Sequence, residues 1–70
     1  MGDVFGSLSD DLRRTVLGYA KENEEFAAFL GYGVGWAFGS LSDDLRRMAL
    51  EIAKENARFA AHLGYGVGRA

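Results

Sequence analysis

Three groups of residues in this chain have types that chemistry could use. They are the aspartate pairs Asp10/Asp11 and Asp43/Asp44, the glycine run from Gly31 to Gly35, and the single histidine, His62. Carboxylates can do acid–base or metal-ligating work when they converge on one point. Here the partners are adjacent in sequence, so on a helix they diverge. Each pair also follows a serine, Ser9 or Ser42. A serine there can accept an orphan backbone N–H, while the aspartates face the positive end of the helix dipole. The pairs are therefore helix-start signals. A GxGxG run cradles phosphate where it joins a strand to the start of a helix. This one follows a helical segment and lacks the lysine of a P-loop, so its glycines read as packing residues. His62 has no partner for ligand or general-base work. Cysteine is absent, which removes thiolate and disulfide sites. The expectation is a non-enzymatic protein with no catalytic, cofactor or metal residues.

The elements that carry these residues come from an internal repeat. Val4 to Trp36 aligns without a gap on Ala37 to Arg69, and 24 of the 33 positions are identical. Phe5 to Arg14 recurs unchanged as Phe38 to Arg47, and Leu30 to Gly35 as Leu63 to Gly68. Such a period is that of a helical hairpin that buries its apolar face on the next unit. The chain reads as one domain over residues 1–70, with repeat one at 4–36 and repeat two at 37–69. The spacing predicts helices over Ser9–Glu22, Glu24–Gly39, Ser42–Glu55 and Ala57–Gly68. The first helix of each unit carries an apolar stripe: Leu12, Val16, Tyr19 and Ala20, then Leu45, Ala49, Ile52 and Ala53. Its other face pairs Asp10 with Arg14 and Asp43 with Arg47 at i,i+4. Truncating Arg13, assigned to that charged face, is expected to do little. Asn23 and Asn56 separate the helices, since asparagine both ends helices in the left-handed conformation and caps new ones.

The second helix of each unit is unusual. Phe26 to Leu41 contains no charged residue, so as a helix it must be covered on most sides. Ala27, Gly31, Gly35 and Gly39 recur every four positions and share one face, and the row returns as Ala60, Gly64 and Gly68. Glycine on such a ridge lets another backbone approach closely. Phe29, Tyr32, Trp36 and Tyr65 supply apolar contacts beside it. A competing reading is a strand over 31–36 and 64–68, because glycine there alternates with Tyr, Val and Trp. Helix is favoured: a second helix ending at Leu30 would be about two turns long, and two lone strands make a marginal sheet. The uncharged run could also suit a membrane or pore peptide. It has 16 residues, however, and a span needs about 20.

The nine differences between the units include Gly18/Glu51 and Phe29/His62, which make unit two more polar. An end repeat facing solvent is expected to change in that way. The period and the two antiparallel helices per unit resemble tetratricopeptide-like hairpin arrays, whose units are about 34 residues long. The resemblance implies an all-α fold of stacked hairpins, a short solenoid or bundle. The family's pattern of Trp, Leu-Gly, Tyr, Ala, Phe and Pro is not met: Leu17-Gly18 is followed by Lys21 where tyrosine is expected, and proline is absent. Its peptide groove is therefore carried over to no residue. The internal identity is that of a recent duplication, a two-unit excerpt or a design.

Bulk properties bound the partners. A net charge of −2 with interleaved signs disfavours nucleic acid. Met1-Gly-Asp3 starts no signal peptide, and Gly6 stands where a myristoylation motif on Gly2 needs Ser or Thr. The location is left as cytoplasmic by default. A chain of 70 residues with 49% hydrophobic content and no disulfide gains most from a second copy. The expected partner is another copy in a homodimer, with two-fold symmetry the commonest arrangement; a protein or peptide partner is the further possibility.

Overall fold

The computed structural model describes residues 5–69. Val4, the first position of repeat one, and Gly2 lie outside the described residues. Among the described residues, four α-helices form a compact all-helical bundle: α1 (Asp10–Lys21), α2 (Glu24–Trp36), α3 (Asp43–Glu55) and α4 (Ala57–Arg69). A 3-10 turn, Phe38–Ser40, joins α2 to α3. No strand occurs among the described residues, and both glycine-alternating segments are helical.

Local chemistry sets the helix starts. Ser9 Oγ accepts from Leu12 N at 3.3 Å and Ser42 Oγ from Leu45 N at 3.4 Å, and two aspartates occupy the first turn behind each cap. Asn56 caps α4 through Oδ1, which accepts from Phe59 N at 3.0 Å. Asn23 precedes α2 with no side-chain cap bond. Neither asparagine is left-handed; both are extended, at φ −137°, and only Asn56 caps a helix with its side chain.

The arginines behave differently from the expectation. The ion pairs are Asp10–Arg13 and Asp43–Arg46, both at 3.3 Å and i,i+3, rather than Asp10–Arg14 and Asp43–Arg47. Arg13 is buried. Its Nε donates to Phe5 O at 3.3 Å and its Nη2 to Gly6 O. In repeat two, Arg46 Nε donates to Phe38 O at 3.1 Å and Nη2 to Gly39 O at 2.8 Å. Each arginine thus ties the segment entering its repeat to that repeat's first helix. This clamp also explains why α2 stops at Trp36 instead of Gly39. The carbonyls of Phe38 and Gly39 are turned toward Arg46, and the backbone tightens into the 3-10 turn to present them.

The two hairpins lie side by side in two layers, α1 with α3 and α2 with α4, and the α2–α4 contact is the most extensive. Leu17, Ala20, Ala27, Val34, Leu45, Ala49, Ile52, Phe59 and Leu63 form the centre of the core. The stripe expected on α3 is the buried one: Leu45, Ala49 and Ile52. On α1 it is so only in part: Ala20 is buried and Val16 half-buried, Leu12 and Tyr19 are exposed, and Arg13 and Leu17 are buried beside the stripe. The equivalent stripe is covered more fully in repeat two because only repeat two has a neighbour on that side.

Candidate interaction surface

Glycine brings α2 and α4 together. A Cβ on Gly31 would lie 2.8 Å from His62 Cβ and 2.9 Å from Phe59 O. One on Gly35 would overlap the Leu63 carbonyl and lie 2.9 Å from Val67 N, and one on Gly66 would lie 2.9 Å from Trp36 N. Such distances leave no space for any side chain at the three positions. Position along α4 rises with position along α2, so the helices run in the same direction. Polar bonds fasten the seam at one end. Asn56 Nδ2 donates to Glu24 O at 3.2 Å, and His62 Nδ1 lies 2.6 Å from Ala28 O. A carbonyl only accepts, so His62 donates from Nδ1. Rings close the other end, where Tyr32 meets Tyr65 at 5.4 Å and Trp36 at 6.1 Å between centroids.

The sequence-derived ridge divides at this seam. Ala27, Gly31 and Gly35 are buried, and the two glycines make the close approach. Gly39, Gly64 and Gly68 have nothing within 4 Å of where a Cβ would stand, and Ala60 is half-buried. Tandem units explain the split. Two copies related by a step along an array meet through opposite faces, whereas matching faces meet only across a two-fold axis. Repeat one therefore offers its 27/31/35 row, and repeat two answers with Phe59, Leu63 and Gly66. Sequence reasoning missed Gly66, whose signal was its i+3 spacing from Leu63, since helices carry ridges at three as well as four residues.

The apolar contact residues also divide. Tyr32 is half-buried, Trp36 and Tyr65 are exposed, and Phe29 is 87% exposed. His62 is exposed and also stitches repeat two to repeat one, while its counterpart Phe29 projects outward. Beside Phe29 lies an open apolar groove of about 210 Å³, lined by Phe5, Leu8, Val16, Phe26, Leu30 and Gly33. Among the described residues, no group of three or more acidic or histidine side chains could hold a metal ion. No protein-family model, curated protein or solved structure matches this chain. What the surface does must be argued from its own geometry.

Proposed function

We propose that the chain is a non-enzymatic helical-repeat scaffold that works by self-association. One observation carries the reading: Phe29, 87% exposed, stands at the rim of an apolar groove. A contiguous apolar patch on a small protein marks an interaction site, and an aromatic side chain beside a pocket is what interface hot spots are made of. Leu12, Leu50, Trp36, Tyr65 and Val67 add to the exposed apolar surface. Among the described residues nothing covers this surface, and arrays of the tetratricopeptide-like kind need about three units for stability. The occupant is a second copy, in a homodimer at least; a protein or peptide partner would use the same surface. A membrane role has less support, since no helix among the described residues is long and apolar enough to cross one.

Sedimentation equilibrium tests the reading. At about 50 μM, well above the dissociation constant of a micromolar interface, the mass is expected to exceed the 7.6 kDa of one chain. A folded monomer at that concentration overturns it.

A further inference from the structure

Resting on the self-association reading, we infer that copies of this chain dock head to tail, repeat two of one copy onto repeat one of the next, by reusing the seam that joins the repeats within each copy. The argument comes from identical residues in unlike surroundings. Leu17 is fully buried and its counterpart Leu50 is 50% exposed; Val34 is fully buried and Val67 is 46% exposed. Gly31 and Gly35 are pressed against backbone, while Gly64 and Gly68 face open space. Repeat two thus displays, unoccupied, the surface with which repeat one covers it. The reverse holds at the other end. Leu45 is fully buried and Leu12 is 53% exposed, and Phe59 and Leu63 are buried where Phe26 and Leu30 are only partly so.

The apolar groove is the acceptor half of this surface. Its lining residues Phe5, Leu8, Val16, Phe26, Phe29, Leu30 and Gly33 correspond, 33 positions on, to a surface of repeat two that includes Leu41, Ala49, Phe59, Leu63 and Gly66. All five of those are buried. The donor half keeps what the inner seam uses: Ala28, Gly31, Tyr32 and Gly35 recur as Ala61, Gly64, Tyr65 and Gly68. Asn23 recurs as the capping Asn56, whose amide reaches a backbone carbonyl of the neighbouring unit; the Asn23 side chain makes no bond to its own helix. The substitution Trp36/Arg69 keeps a partner for the tyrosine, with the Arg69 guanidinium 5.8 Å from the Tyr65 ring centre. Phe29, in place of His62, exchanges a hydrogen bond for apolar area. A surface joined in this way is heterologous, so each docked copy presents a fresh groove and a fresh ridge.

Two variants separate this arrangement from every other. Gly64→Leu fills open space in the isolated chain and blocks the ridge, leaving the groove intact. Phe29→Glu alters a projecting side chain and sets a carboxylate against the Ala61 carbonyl of the incoming copy, leaving the ridge intact. Circular dichroism is expected to show unchanged helicity in both. By sedimentation equilibrium, the wild-type mass is expected to pass beyond two chains as concentration rises, and each variant alone to stay at 7.6 kDa. Their equimolar mixture is expected to stop at twice that mass, because one working ridge meets one working groove. A wild-type mass that saturates at two chains, with no dimer in the mixture, overturns head-to-tail docking while leaving self-association in place. Variants that associate as the wild type does overturn it as well. A monomeric wild type at about 50 μM overturns both.

Discussion

Gly35 and Gly64 are the same kind of residue on equivalent helices, yet their surroundings assign them opposite roles. Alanine at Gly35 would drive its methyl group into the Leu63 carbonyl. Overpacking of this kind costs about 1–3 kcal/mol, and the gain in helix propensity of about 1 kcal/mol only partly offsets it. At Gly64 the methyl meets nothing, so Gly64→Ala is expected to stabilise the fold by about 0.5–1 kcal/mol. Urea titration of both variants measures the contrast, and equal effects would contradict the seam. Arg13 and Arg14 form a second such pair. Arg13→Ala removes charged donors from the carbonyls of Phe5 and Gly6, an expected loss of about 2 kcal/mol. Arg14 is exposed, and its truncation should stay within about 0.5 kcal/mol. The spacing of the two arginines alone could not separate them. The i,i+4 pairing rule favoured Arg14, and the carbonyls that claim Arg13 come from a segment seven and eight residues away.

The helices themselves were legible because their signals are local. Ser-Asp-Asp fixes the starts of α1 and α3 through caps within three residues, and α2 and α3 begin and α3 ends within one residue of where periodicity places them. The end of α2 was not legible, since it is set by Arg46 pulling on Phe38 and Gly39. The contact faces were legible only in part. The 27/31/35 row is small and the 59/63/66 row is apolar, and each helix carries both kinds of row; nothing local tells which meets a neighbour. That choice belongs to the direction in which the units step. The two asparagines show the same dependence on position. Asn56 caps α4 and reaches across to Glu24 O, whereas Asn23 makes no cap bond. Asn56→Ala is therefore expected to cost about 1–2 kcal/mol and Asn23→Ala under about 0.5 kcal/mol at concentrations where the chain is monomeric. Thermal melts of dilute samples check the difference.

At the scale of the molecule, the proposed docking makes stability and assembly depend on one seam used at two levels. In a stacked array, stability is the sum of each unit's own contribution and of the interfaces between neighbours. Among the described residues the two repeats share one seam, and the faces equivalent to it at either end are uncovered. Any process that covers those faces in the folded state alone must raise the melting temperature by mass action. The proposed repeat-to-repeat docking between copies would do so, to an extent set by protein concentration. The wild-type melting temperature is therefore expected to climb by several degrees between about 5 and 500 μM, since a stabilisation of 1 kcal/mol moves a domain of this size by roughly 4–8 °C. Gly64→Leu should melt at one temperature throughout that range, because its blocked ridge leaves only the internal seam. Differential scanning calorimetry over the two concentrations decides the matter. A wild-type transition that stays fixed while the variant's also stays fixed would show that the bare faces remain bare.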